Sequence, residues 1–162
     1  LILQNQARDN EIIGGSAIYP NATMDMLIDD GEYIALVEVM DNKKGGENID
    51  TTLKVLETYK GEFETNEIVY RNSNGTAVNS VDHPSFVKGD KMILFMWKEP
   101  KDNTYYLYYG IQGAFKFDDI ENQYINSNDV KFTDMKAEIE RFNNKPLEER
   151  ELLPKGDFFD NI

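Results

Sequence analysis

Residues 32–41 (EYIALVEVMD) form the stretch that most constrains how this chain can fold. Successive side chains of an extended strand point to opposite sides of a sheet, and in this stretch both sides are apolar. One side carries Tyr33, Ala35, Val37 and Val39, and the other carries Ile34, Leu36 and Met40. We therefore expect a central strand with other layers of the protein packed on both of its faces.

Further strand-like segments follow at near-regular spacing, separated by turns rich in Gly, Asn and Asp. They lie at residues 51–59, 67–71, 91–98, 104–109, 114–117 and 123–125. Many short strands joined by such turns are typical of a barrel or a sandwich.

One helix is predicted before these strands and one after them. The first spans Met24–Asp30, with Thr23 as its N-cap and Gly31 as a left-handed stop. The second is capped by Thr133 and carries apolar residues at helical spacing. These residues are Phe132, Met135, Ile139 and Phe142.

Composition excludes several classes of function. The chain has 17 Lys and Arg against 30 Asp and Glu, a net charge of −13, which disfavours binding to nucleic acid or to an anionic lipid surface. It has no Cys, which excludes disulfides, thiolate nucleophiles and cysteine-ligated metals. No apolar stretch is long enough to predict a transmembrane segment. We also expect no cofactor.

Nothing in the sequence predicts a catalytic residue or a metal ligand. His83 is the single histidine, and its neighbour Asp82 would point to the other side of an extended chain, so we interpret His83 as an ordinary loop residue. No nucleophile motif accompanies it. The acidic clusters lack the spacing of a calcium loop and are interpreted as solvated surface. The chain is predicted not to be an enzyme.

An aromatic group is the best candidate for ligand binding. Trp97, Tyr106 and Tyr108 lie on two strands that are expected to pair. Where such rings face outward, they can stack on a sugar ring or bind a partner protein. The alternative interpretation is that they only strengthen pairing between the two strands.

Two short segments, VLETYKG at 55–61 and VKGDKMILF at 87–95, are similar to motifs of a known family. The chain resembles the bacterial extracytoplasmic modules related to the netrin and tissue-inhibitor-of-metalloproteinases (TIMP) domains, over roughly residues 23–124. The resemblance implies an OB-type barrel and an exported, Gram-positive lipoprotein with no assigned activity. The metalloproteinase inhibitors chelate zinc through an amino-terminal Cys, which this chain lacks, so no functional residue is carried over.

Pattern and resemblance together predict a mainly β fold, an OB-like antiparallel barrel of five to six strands with a short N-terminal helix and a C-terminal amphipathic helix packed on it. We expect a flexible lead-in at 1–22, the barrel domain with its helix at 23–145, and a tail at 146–162. The expected barrel core is Val37, Val39, Val55, Ile68, Leu94, Met96, Leu107 and Phe115. The helix is expected to lay Met135, Ile139 and Phe142 on the barrel.

The functional hypothesis is a non-enzymatic extracytoplasmic binding module, secreted or held at the cell surface by a lipidated Cys upstream of Leu1. Its partner would be a protein or a cell-surface glycan. Two alternatives stay open at this point. One is a carbohydrate-binding module that uses Trp97 and the outward Tyr residues, and the other is a protease inhibitor that inserts a loop.

Overall fold

A computed structural model describes residues 19–72 and 86–152 of the chain, and the fold is mainly β. Its helices are α1 (Met24–Asp30) and α2 (Met135–Asn144), with short 3-10 turns at Gly110–Gly113 and Leu147–Glu149. Its strands are β1 (Tyr33–Gly45), β2 (Asn48–Lys60), β3 (Glu67–Asn72), β4 (Lys91–Glu99), β5 (Thr104–Leu107), β6 (Ala114–Asp118), β7 (Gln123–Ile125) and β8 (Lys131–Phe132).

Five of the strands pair in a ring. β1 pairs antiparallel with β2 along one edge and with β4 along the other, and the remaining pairings are β2–β3, β3–β5 and β5–β4. β6, β7 and β8 extend the sheet from β4. The expected all-antiparallel sheet is wrong in one place, because β3 and β5 are parallel. Strand direction requires this: β4 and β2 both run against β1, so β3 and β5 both run with it.

The predicted two-faced burial of β1 is confirmed, since each face contributes to a different apolar core. The ring core lies inside the ring and contains Ala35, Val37, Val39, Leu53, Ile68, Tyr70, Met92, Leu94, Met96, Tyr105, Leu107 and Ala114. The helix-side core contains Ala22, Met26, Leu27, Ile28, Ile34, Ile93, Phe95, Tyr109, Phe115, Phe132, Met135 and Phe142.

One expectation about the core is wrong, one holds only in part, and one core residue was not predicted. Phe115 is fully buried, but in the helix-side core instead of the ring core, because it lies opposite Ile93 on the outward face of β4. Val55 is only half-buried at the margin of the ring core. Leu53 is fully buried and had not been expected there.

Aromatic side chains cover the two ends of the ring core. At one end Phe63, from the β2–β3 connection, packs on Tyr33 and Tyr105 with ring centroids 5.3 and 5.6 Å away. At the other end Phe86 stacks on Tyr70 at 4.9 Å. The ring interior is therefore filled with side chains and is not a channel.

Helix α1 begins as predicted and ends differently. Thr23 accepts a hydrogen bond from the backbone N–H of Met26, which confirms the N-cap. Gly31 has φ −58° and is not a left-handed stop. Glycine fits there for another reason: a Cβ would lie 2.8 Å from the carbonyl oxygen of Leu27.

Helix α2 begins later than its apolar spacing suggested. Asp134, and not Thr133, is the N-cap, because its carboxylate accepts a hydrogen bond from the backbone N–H of Ala137. Phe132, which was expected on the apolar face of this helix, belongs instead to β8 and pairs with Tyr124. Its side chain is buried all the same. The rest of the prediction holds, since Met135 and Phe142 are buried and Ile139 packs against the same core.

Two polar groups hold the outer elements to this scaffold. The buried Gln112 side chain accepts hydrogen bonds from the Ala22 N–H and from the Asn128 amide, both at 2.7 Å, and donates to the carbonyl of Pro20 at 3.0 Å. It thereby joins the segment before α1 to the loop between β7 and β8. Buried amides are normally satisfied in this way.

Asp25 joins both helices to the segment after α2. It is 2% exposed, and its carboxylate accepts hydrogen bonds from Arg141 (3.2 Å), from Lys145 (2.9 Å) and from the backbone N–H of Glu151 (2.9 Å). Burial by itself raises the pKa of Asp25, but the Glu151 N–H and the two cations outweigh it, so the net shift of the pKa is downward. Asp25 is therefore held ionised in the folded state.

Replacing Asp25 by Asn tests this contact. Because the folded-state pKa lies below the unfolded value of about 3.9, the contribution of Asp25 is complete above that pH and is lost as the pH falls through the folded-state pKa. We expect Asp25→Asn to lower the free energy of unfolding by about 1–3 kcal/mol at neutral pH. In urea unfolding, the gap to wild type should narrow in acid, and a gap that is independent of pH would contradict an ionised carboxylate.

Gly61, directly after β2, offers a test of how closely the end of β2 approaches the start of β1. Its φ is +84°, and a Cβ there would lie 2.7 Å from both the carbonyl oxygen of Glu32 and the ring of Tyr33. Gly89 has a similar φ of +93° with nothing within 4 Å. Thermal unfolding of the two Gly→Ala variants should show a loss of about 1 kcal/mol at Gly89 from backbone strain alone and a clearly larger loss at Gly61. Equal losses would mean that the Glu32–Gly61 approach is not close.

Candidate functional site

The Trp97–Tyr106 ring stack is the centre of the candidate site. The two residues lie directly opposite each other on β4 and β5, and their rings are 4.7 Å apart and tilted by only 18°. The neighbours Met96 and Leu107 point into the ring core, so alternation places both aromatic rings on the outside of the five-strand ring. Both rings are half-buried.

A paired arginine lies beside this stack. Arg71 is directly opposite Asp50 in the β2–β3 register and forms a two-point ion pair with it, Nε to Oδ1 at 2.8 Å and Nη2 to Oδ2 at 3.0 Å. Its Nη1 donates to Asp102 in the β4–β5 loop at 3.0 Å. Hydrogen bonding to Asp50 is the main cause that raises the pKa of Arg71, and an interaction with Tyr106 acts in the same direction.

The two carboxylates that hold Arg71 are themselves kept ionised. The Arg71 hydrogen bond lowers the pKa of Asp50, against a smaller opposing effect of burial. The Thr104 hydroxyl, which donates to Asp102, is the first cause that lowers the pKa of Asp102. Asp50, Arg71, Trp97, Asp102 and Tyr106 together are called the Trp97 surface below. The charged groups of this surface are paired with one another, since Arg71 binds both Asp50 and Asp102.

A cleft of about 270 Å³ adjoins the Trp97 surface at the end of the ring where β3 and β5 begin. It is called the Lys98 cleft below. Its lining residues are Glu64, Thr65, Glu67, Ile68, Val69, Lys98, Asp102, Asn103, Thr104 and Tyr105. Asp102 belongs to both features, so the surface and the cleft are continuous.

The structure brings two of the three predicted ligand-binding residues together. Tyr108 lies beyond the end of β5, where its hydroxyl donates to Glu32 at 2.8 Å and its ring packs against the helix-side core. The predicted strand at 104–109 is too long, because β5 ends at Leu107 and Tyr109 adopts a left-handed conformation with φ 55°. The Tyr109 hydroxyl donates to Asp30.

Sequence reasoning did not find Arg71, Asp50 or the residues of the Lys98 cleft. Asp50 and Arg71 are 21 residues apart, and only the β2–β3 register places them opposite each other. Asp102 and Asn103 lie in the turn expected between the strand-like segments 91–98 and 104–109, but the contact of Asp102 with Arg71 depends on β3 lying beside β5.

The structure does not test the interpretation of His83. His83 and Asp82 lie outside the described residues. Across 19–72 and 86–152 no group of three His, Asp or Glu side chains is arranged to hold a metal ion. In the same ranges no helix combines the length and the apolar character needed to cross a bilayer.

Comparison with known proteins adds no assignment, since no protein-family model and no curated protein matches this chain.

Replacing Arg71 by Met should release both carboxylates of the Trp97 surface while keeping much of the packing of the arginine stem. We expect a loss of about 1 kcal/mol in the free energy of unfolding and a shifted Trp97 emission, because the charges beside the ring stack change. Lys44→Met is the matched control, since Lys44 is exposed on β1 and forms no ion pair within the described part of the chain. Equal stability and emission in the two variants would contradict the role assigned to Arg71.

Proposed function

We propose that this chain is a non-enzymatic binding module, built on an OB-like barrel of the netrin- and TIMP-related kind, and that it binds a protein partner through the Trp97 surface. The observation that carries the proposal is the outward Trp97–Tyr106 stack beside a firmly held Arg71. Trp, Tyr and Arg are the residues that most often dominate the energy of protein interfaces.

The order of strand pairing supports the OB-like part of the proposal. An OB barrel is a five-stranded, partly open barrel that binds ligands on the face of its second and third strands and with the loop between its fourth and fifth. Here Asp50 is on β2, Arg71 is on β3, and Asp102 lies between β4 and β5. These three residues of the Trp97 surface thus lie on the second and third strands and the loop between the fourth and fifth, which supports a binding role if the ring is OB-like, whereas Trp97 and Tyr106 are on β4 and β5.

The charge of the chain supports a basic partner. A net charge of −13 attracts a positively charged protein at long range and repels acidic ones. At short range Asp50 and Asp102 keep carboxylate oxygens beside the aromatic stack.

A carbohydrate ligand is the second candidate, on the same residues. Two nearly parallel rings, 18° apart, present the kind of flat apolar platform on which a sugar ring stacks. The neighbouring carboxylates would accept hydrogen bonds from sugar hydroxyls.

An extracytoplasmic location is also part of the proposal and is supported by the resemblance to exported modules. Proteolysis of intact cells of the source organism tests it: external protease should degrade the protein while a cytoplasmic marker stays intact. Protection of both proteins until the cells are lysed would contradict it.

Trp97 is the sole tryptophan of the chain, so its emission reports directly on the proposed surface. The immobilised chain would first be used to isolate a partner from extracellular proteins of the source organism, and the purified partner would then be titrated against the free chain. We expect a change in Trp97 emission on binding. Binding of the partner to Tyr106→Ser should be at least about tenfold weaker, as for a central interface residue.

Ile120→Ser is the matched control, because Ile120 is 95% exposed in the turn between β6 and β7, away from the Trp97 surface. This variant should bind the partner as wild type does. Soluble oligosaccharides titrated in the same way test the second candidate. Partner affinity that is unchanged in Tyr106→Ser would contradict the proposed surface.

A further inference from the structure

The Lys98 cleft has the size of a site for one side chain. Its volume of about 270 Å³ falls just below the range of about 300–1,000 Å³ that is typical of pockets for drug-sized ligands. It opens beside the Trp97 surface and shares Asp102 with it. A partner docked on the Trp97 surface could therefore place one of its own side chains in the cleft.

The cleft is acidic. Its lining includes the carboxylates Glu64, Glu67 and Asp102 and a single ammonium group, Lys98. Asp102 is paired with Arg71, but Glu64 and Glu67 form no ion pair with any Lys or Arg of the described residues. A concave site lined mainly by one sign of charge concentrates ligands of the opposite sign.

The hydroxyl group of Tyr105 is a second observation that points to a ligand. Tyr105 lines the cleft and is only 3% exposed, and within the described part of the chain its hydroxyl has no hydrogen-bond partner. Buried tyrosine hydroxyls usually have one. Burial, together with the neighbouring Tyr33 hydroxyl and the Glu64 carboxylate, raises the pKa of Tyr105, so the hydroxyl stays neutral and can accept from an N–H donor.

The ring of Tyr105 already interacts with a cation. The Nζ of Lys98 lies 5.9 Å from the ring centroid, within the range of cation–π attraction. The ring is thus already in contact with Lys98, and what the cleft offers an incoming cation is the Tyr105 hydroxyl and the carboxylates of Glu64 and Glu67.

We propose that the Lys98 cleft receives one basic side chain, an arginine guanidinium or a lysine ammonium, of the protein partner. The inference rests on the proposed function and names the chemistry of the residue that the partner inserts. Arginine and lysine share the positive charge and the N–H donors that the cleft would recognise.

The probe for this site is N-acetyl-arginine amide, with N-acetyl-citrulline amide as its neutral analogue of nearly the same shape. Millimolar titrations into the ¹⁵N-labelled full chain, followed by NMR, should shift amide signals of residues 64–69 and 98–105 with the arginine compound only. The double variant Glu64→Gln, Glu67→Gln should weaken binding about three- to tenfold. Glu47→Gln, which removes an exposed carboxylate in the turn between β1 and β2, should leave it unchanged.

Tyr105→Phe separates binding from stability. Because the hydroxyl has no partner among the described residues, its removal should leave the thermal unfolding temperature unchanged or higher, while the arginine probe binds several-fold more weakly. Equal shifts with arginine and citrulline probes would overturn the inference. So would arginine affinity that is the same in wild type and in the Glu64, Glu67 variant.

The two proposals can fail separately. A partner that binds in a Tyr106-dependent manner, together with no arginine-specific shifts in the cleft, overturns only the cation site. Arginine-specific shifts in the cleft, together with partner binding that is insensitive to Tyr106→Ser, overturn only the Trp97 surface.

Discussion

The fold depends on β1 being paired along both edges and buried on both faces. Its hydrogen bonds to β2 and β4 close the five-strand ring, its inward face fills the ring core, and its outward face lies under α1 and α2. A slip of one residue along β1 would move every side chain of β1 to the opposite face of the sheet. The side chains that fit the ring core would then face the helices, and those that fit the helix-side core would face the ring interior. The registers of β2 and β4 are thereby determined, and with them the outward positions of Asp50 and Trp97.

The elements outside the ring are held by a few satisfied polar groups as well as by apolar packing. Asp25 joins α1 to α2 and to the segment after it, and Gln112 joins the segment before α1 to the β7–β8 loop. Each group is buried, so leaving it unpaired would cost more than its pairing gains, which favours this one arrangement over looser ones. The helices consequently cover the side of β4 that carries Phe95, and Trp97 is not part of this helix-side core.

The residues of the Trp97 surface lie outside the helix-side core. Charges there are arranged in two ways: those of the Trp97 surface are paired around Arg71, whereas Glu64 and Glu67 in the Lys98 cleft form no ion pair among the described residues. A paired surface gives shape and rigidity, and an unpaired acidic cleft gives a preference for positive charge. Asp102, on a short loop, connects the two features.

Local periodicity was sufficient to predict the strand-rich character, the α1 cap at Thr23, the amphipathic α2 and the two apolar faces of β1, because each depends on residues close together in the chain. It was insufficient for Phe115, whose core is decided by the strand it pairs with, and for Tyr109, whose hydroxyl donates to the distant Asp30. The amino-acid sequence alone thus determined which segments form strands, which form helices and which of their faces are apolar. Only the tertiary structure decided that β3 lies parallel to β5, that Arg71 meets Asp102, and that a cleft opens at Tyr105, since contacts between residues far apart in the chain follow from ring closure and not from local spacing.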